Sequence, residues 1–269
     1  MKLISLNTFG GHVFEPMMKF VETHASTTDV FCFQEMVSTE DREAIKTSNG
    51  WRVNLLQELI DALPEFEHHF APMQQDFQTE PDYPNQSQFG VAIFYRKILS
   101  ISDKGFFFIC NGPNTLIDKD WSTLGHTAAH ITVEIAQQPI TILTLHGNSQ
   151  PGDKLDSPLR IEQSRRILEL LARHEGAKIV TGDFNLLPGT KSIQLFEEAG
   201  FKNLISDYDI KTTRGSMMRK LFPEYEHGEY GFQEFADYTF VTPDIDVTQF
   251  SVPDEPISDH LPMILEFDL

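Results

Sequence analysis

Residues 178–190 read KIVTGDFNLLPGT: a buried strand that ends in polar groups. Ile179 and Val180 are apolar and β-branched, and Gly182 then leads into Asp183, Phe184 and Asn185. Successive strand side chains point to opposite faces, so Asp183 and Asn185, two apart, share one and can aim at a common point. Gly, Asp and Asn are also ordinary turn residues, because they admit unusual dihedrals or bond the local backbone. The rest of the chain has to separate these two readings.

The same pattern recurs at strand after strand. Asn7 ends a predicted strand over 2–7, and Gln34 and Glu35 end another over 29–33. His146 ends a strand over 140–145; Asn148, two residues on, is a candidate substrate contact. Asp237 begins a strand over 237–241, and Asp259 and His260 stand just before the last strand in PISDHLPMILEF. Taken singly, Asn7 or Glu35 reads as a helix cap, His146 as a satisfied half-buried histidine and Asp259 as a turn residue. Together they describe polar groups at the rim of apolar sheets, where open α/β folds bind their ligands.

The residue types make chemical sense as a set. Hard divalent cations such as magnesium take carboxylate, carboxamide and water oxygens, and Glu35, Asn7 and Asp259 provide them. No cysteine cluster or closely spaced histidine pair suggests structural zinc. Two histidines, His146 and His260, remain for proton handling or phosphate contact.

Apolar residues at helical spacing predict helices around Met17–Phe20–Val21–His24 and Leu55–Leu56–Leu59–Ile60–Leu63, the second stopped by Pro64. Further strands are expected over 66–71, 89–95, 98–109, 127–135, 178–182, 246–252 and 263–267. A helix capped by Ser157, with Pro158 first and Gly176 at its end, is expected to bury Ile161, Leu168, Leu171 and Ala172. A short helix over 192–199 is closed by Gly200. Strands outnumber helices and many are hairpin-close, which predicts two stacked mixed sheets with helices outside, as one domain over 1–269.

Composition narrows the partners. The chain has 269 residues, 40% hydrophobic and 23% charged, as expected of a globular protein with a sizeable core. No apolar run is long enough to cross a bilayer, and the N-terminus lacks the apolar stretch of a signal peptide, so a cytoplasmic location without a membrane anchor is expected. Two cysteines make no disulfide framework, and Cys32 reads as a buried apolar residue. Forty acidic against 21 basic residues give a net charge of −19, which disfavours gripping a long nucleic acid.

SLNTFGG, FCFQEM, LTLHGNSQ, TGDFNLLPGT, FADYTFV and ISDHLPMILEF, in that order, resemble the motifs of the endonuclease/exonuclease/phosphatase superfamily. GDFN or SDH alone is weak; six in order span the whole chain. The resemblance implies a four-layered α/β sandwich of two mixed sheets and metal-dependent phosphoester hydrolysis with Mg²⁺ or Mn²⁺. It makes Glu35 the principal metal ligand with Asn7 beside it, and Asp259 a metal-side carboxylate. Asp183 would position or deprotonate the attacking water, and Asn185 would bind a phosphate oxygen. His260, oriented by Asp237, would contact the scissile phosphate, and His146 would contact phosphate or assist the leaving group. Some DNA-repair members carry an Asp two residues after the first-motif Asn, where this chain has Phe9, which weakens a repair-nuclease reading.

Specificity in a shared fold lives in loops. The candidates are 72–87 with Tyr83, and Gln88 beyond it, 111–124 with Trp121, and 211–235 with Lys211, Arg214, Arg219 and Lys220. Arg214 is a candidate phosphate ligand through its bidentate guanidinium. The expected substrate is a small or short phosphodiester or phosphomonoester. The alternatives are a DNA or RNA nuclease or DNA-adduct phosphodiesterase, and a non-catalytic binding module. No protein partner is evident.

Overall fold

The computed structural model describes residues 1–40, 45–48, 50–74, 87–117, 120–221, 223 and 228–269. Tyr83 lies outside them. The first strands are β1 (Lys2–Asn7), β2 (Val30–Ser38), β3 (Phe66–Gln74), β4 (Gln88–Arg96), β5 (Ser100–Cys110) and β6 (His126–Ile135). They are followed by β7 (Gln138–His146), β8 (Ala177–Asp183), β9 (Lys202–Asn203), β10 (Asp237–Val241), β11 (Asp246–Ser251) and β12 (Met263–Asp268). The helices are α1 (Phe14–Ala25), α2 (Leu55–Ala62), α3 (Pro158–Leu171), α4 (Lys191–Glu198), α5 (Leu204–Asp207) and α6 (Ser216–Leu221). Among the described residues, no helix is long and apolar enough to cross a membrane.

The strands form two six-stranded mixed sheets, in the orders β11-β12-β1-β2-β4-β3 and β5-β6-β7-β8-β10-β9. Each sheet holds one parallel pair, β1 with β2 and β7 with β8. Parallel neighbours need a crossover, and α1 and α3 supply them. The carboxyl ends of both pairs lie on one rim, so Asn7, the bulged end region of β2, His146 and Asp183 converge there.

Alternation builds the layers. On β2, Val30 and Cys32 join the core between the sheets, while Phe31 and Phe33 face Met17, Val21 and Leu59 of the α1–α2 layer. On the far side, Phe196 of α4 stacks on Phe240 of β10 with ring centroids 4.8 Å apart. The order helices, sheet, sheet, helices is the expected four-layered sandwich.

Three local features stand out, two of them corrections to the expected elements. First, β2 does not stop at Phe33; it runs to Ser38 through an irregularity between Phe33 and Met36. An extra residue there re-aims a side chain, and that residue pair is Gln34 and Glu35. Second, Gly182 is a strand residue, as expected over 178–182, and is paired with both Leu145 and Tyr238. A Cβ there would lie 2.3 Å from the Leu145 carbonyl oxygen, so only glycine lets β8 pass this close to β7 before Asp183. Third, α3 ends at Leu171 and buries Arg160, Gln163, Ser164, Ile167 and Leu171, a face turned from the expected one. Gly176 instead precedes β8. The N-terminal end is as expected: the Ser157 side chain accepts from the Arg160 N–H at 3.2 Å.

Candidate active site

The rim gathers carboxylates from both sheets. Asn7, at the end of β1, accepts the Phe9 N–H on Oδ1 at 3.0 Å and turns its Nδ2 into the site. That nitrogen donates to Glu35 Oε1 at 3.1 Å and to Asp183 Oδ2 at 3.0 Å. In this geometry Asn7 offers the two carboxylates a bridge rather than an oxygen. Glu35 sits on the β2 bulge with φ of 58°, and its Oε2 is buried without a hydrogen-bond partner. Burial, aided by nearby Asp259, holds its pKa above the ordinary carboxylate value despite His146 and His260.

Asp183 ends β8, and its two oxygens divide the two readings of its motif. Oδ1 accepts the Asn185 N–H at 2.8 Å, which is turn chemistry. Oδ2 faces the site, 3.7 Å from Nε2 of His146 and 3.7 Å from Nε2 of His260. Burial opposes its charge, but His260, His146, Lys154 and Arg214 outweigh burial and hold its pKa below the usual range. Asn185, with φ of 53°, borders the cavity and donates Nδ2 to the Gly147 carbonyl at 3.1 Å.

Across from these, His260 Nδ1–H donates to Asp237 at 2.8 Å. Asp237 pairs with Asp183 across the β10–β8 ladder, so register sets Asp237 beside Asp183, while His260 is bridged to Arg214 outside the strands. Burial and the Arg214 guanidinium pull the His260 pKa down, but Asp237, Asp259 and Asp183 more than offset them and it is raised. Burial raises Asp237 against the pull of His260. Asp259 Oδ2 accepts from Arg214 Nη2 at 3.0 Å, and Arg214 Nη1 contacts His260 Nε2.

Glu35, His146, Asp183, Asn185, Arg214, Asp259 and His260 line one end of a cavity of about 580 Å³, with Asn7 and Asp237 behind them. Its other walls are largely aromatic: Phe9, Trp51, Phe89, Trp121, Tyr230 and Phe232. One predicted contact does not reach it. Asn148 is fully buried; its Oδ1 accepts the Gln150 N–H at 2.8 Å and its Nδ2 points to Cys110 Sγ at 3.6 Å. Its carboxamide shapes the loop behind the site. Three of the four basic residues of the 211–235 stretch are compensated, Lys211 by Asp209, Arg214 by Asp259 and Arg219 by Glu234, while Lys220 is exposed.

Two cavity residues carried no sequence signal. Lys154, in a stretch that reads as a polar turn, borders the cavity and donates Nζ to the Phe235 carbonyl at 3.4 Å. Burial, with the like charge of Arg214, lowers its pKa to about 8. His126 donates Nδ1–H to the His146 carbonyl at 3.0 Å, and burial lowers its pKa to about 3, so it is neutral. Arg160 holds the Lys154 loop from behind: it donates to the carbonyls of Asn148 at 3.0 Å, Pro151 at 2.6 Å and Leu155 at 2.6 Å.

The residues fit a divalent cation. Single ligand atoms of Glu35, His146 and Asp183 lie within 4.8 Å of one another. A buried carboxylate oxygen with no partner is costly unless a charge or donor meets it. Oxygen-rich donors of this kind suit magnesium or manganese.

The sequence profile of the Endonuclease/Exonuclease/phosphatase family matches residues 4–260. No curated protein matches the chain. Among solved structures, the chain is similar to a mannosyl-6-phosphatase of Bacteroides thetaiotaomicron, with 17% identity, 100% of both chains covered and a TM-score of 0.70. It is similar to a protein from Leptotrichia buccalis described as belonging to the same family, with 18% identity, 100% of both chains covered and a TM-score of 0.72. The human Nocturnin catalytic domain with bound sulfate covers all of this chain and 93% of its own, at 16% identity and a TM-score of 0.65. At these identities the likeness is one of fold.

Proposed function

The chain belongs to the endonuclease/exonuclease/phosphatase family, whose members hydrolyse phosphate esters, and on that premise we propose that it is a divalent-cation-dependent phosphoesterase acting on a small or short substrate. The observation that carries this reading is Glu35: a half-buried carboxylate whose Oε2 is buried and unpartnered, facing Asp183 at the head of a cavity. Glu35, held in place by Asn7, would bind Mg²⁺ or Mn²⁺ at the cluster it forms with Asp183 and His146, and Asp259 would join it only on leaving Arg214. Such an ion, when bound, neutralises charge developing on phosphate oxygens.

The chain's own residues supply the rest. Asp183, kept ionised, accepts a proton from the attacking water while its Oδ1 is pinned by the Asn185 N–H. His260, held by Asp237 and raised in pKa, offers an N–H to a phosphate oxygen. His146 stands on the other side of Asp183 for phosphate or the leaving group. Arg214 and Lys154 place positive charge at the cavity wall. Arg214 is held by Asp259, so Lys154 is the more adaptable phosphate contact.

Small substrates are supported by the aromatic walls, by the ion pairs of Lys211, Arg214 and Arg219, and by the net charge of −19. The test is a panel of phosphoesters with magnesium or manganese and an EDTA control. It should begin with sugar phosphates, the substrate class named for the Bacteroides protein, and include duplex DNA. Metal-dependent turnover of a small ester, faster than of duplex DNA, is expected. Efficient duplex cleavage with a steep salt dependence replaces this reading with the nuclease one.

A further inference from the structure

We propose that Asp103, His130 and His174 form a second cation site, of zinc type, where the turn after α3 meets the β5–β6 hairpin. None of the three borders the catalytic cavity. One ligand atom from each lies within 4.8 Å of the other two. Two imidazoles and a carboxylate are a common donor set for zinc, which accepts water as its remaining ligand.

The backbone is arranged for this cluster. The β5–β6 ladder is irregular between Ile101 and Asp103, which re-aims the Asp103 side chain. Gly105 lies opposite His130 in the same ladder. A Cβ on Gly105 would lie 2.9 Å from His130 Cε1, so the imidazole lies over bare backbone. Glycine inside a strand weakens it and marks a close approach; here the approaching group is the His130 ring.

His130 is buried, with Nε2–H donating to Asp103 Oδ2 at 3.1 Å and Nδ1 lacking any partner. His174 brings its ring within 5.0 Å of the His130 ring, at 69°. A hydrogen-bonded Asp–His pair alone leaves the convergence of His174 on the same two groups unaccounted for.

The test counts zinc. Calorimetric titration of zinc chloride into the metal-free full chain and into His174→Ala should show one ion fewer in the variant, whatever the catalytic cavity itself binds. Magnesium-supported turnover should be unchanged in the variant, because His174 is remote from the cavity. Asp103→Asn, which keeps the shape and removes the charge, should weaken the same ion about tenfold or more. In zinc-soaked crystals, anomalous density should sit about 2.0–2.3 Å from ligand atoms of His130 and His174. Equal zinc stoichiometry and affinity in wild type and His174→Ala, or no anomalous density between the two rings, overturns the proposal.

Discussion

Asn7 on β1 donates to Asp183 on β8 at 3.0 Å and to Glu35 on β2 at 3.1 Å, so one carboxamide joins the ends of both sheets. Without it, the half-buried Glu35 and the buried Asp183 carboxylates lose the donor they share. Asn7→Ala should lower stability by about 1–3 kcal/mol, the range for leaving buried acceptors unsatisfied, and cut turnover about tenfold or more through misplaced carboxylates. Asn7→Asp should be worse on both counts, since it adds a third negative charge. Urea denaturation and steady-state kinetics give the two readings; an Asn7→Ala protein with wild-type values for both would show that the bridge is idle.

Glu35→Gln should separate stability from function. Burial raises the Glu35 pKa, so its ionised form destabilises the metal-free fold. A raised carboxylate contributes stability below its unfolded pKa and loses it as pH rises. In EDTA at pH 7, Glu35→Gln should therefore melt higher than wild type, and the gap should close below about pH 4, under the unfolded glutamate pKa. The same variant should lose magnesium or manganese binding by calorimetry. A variant that melts no higher at pH 7, or that binds the ion as wild type does, contradicts the role.

Asp183→Asn and His260→Ala should each slow turnover about a hundredfold or more while far-ultraviolet circular dichroism stays unchanged. Asp237→Asn should be milder, because it leaves the His260 imidazole in place and removes only its orienting charge. If Asp183→Asn and His260→Ala both keep more than about a tenth of wild-type turnover, the proton and phosphate roles are misassigned.

The strands were legible in sequence because their alternation is strong and their ends carry the polar groups. The β2 bulge was not, because Val30–Phe31–Cys32–Phe33 is buried on both faces and apolar in both phases, which hides a one-residue shift. Yet that shift is what aims Glu35. The buried face of α3 was misread because Arg160 and Gln163 spend their polarity on the loop carbonyl and N–H groups behind the site, whereas composition marks such residues as solvent-facing. Asn148 looked like a ligand contact for the converse reason: its carboxamide is consumed locally, which no spacing reveals. Lys154 sits in a turn-like stretch, and only the fold shows that Arg160 presents that turn to the cavity.

Lys154 gives the site a pH limit that can be read directly. Burial and the Arg214 charge lower its pKa from the ordinary 10.5 to about 8. The protonated form is the one that attracts a phosphate oxygen, so the benefit exists below about pH 8 and fades above it. kcat/KM reports the free enzyme's ionisations, so its profile on a phosphate substrate should fall on the alkaline side with a midpoint near pH 8. Lys154→Arg keeps a guanidinium charged throughout that range, so the alkaline limb should vanish or move upward even if the absolute rate drops. Lys154→Ala should lower kcat/KM at pH 7 about tenfold or more, as loss of a charge-assisted hydrogen bond implies, and flatten the same limb. Running all three with the metal held saturating at each pH separates the lysine from the ion. An alkaline limb that survives unchanged in Lys154→Arg would assign the titration to another group and remove Lys154 from the phosphate.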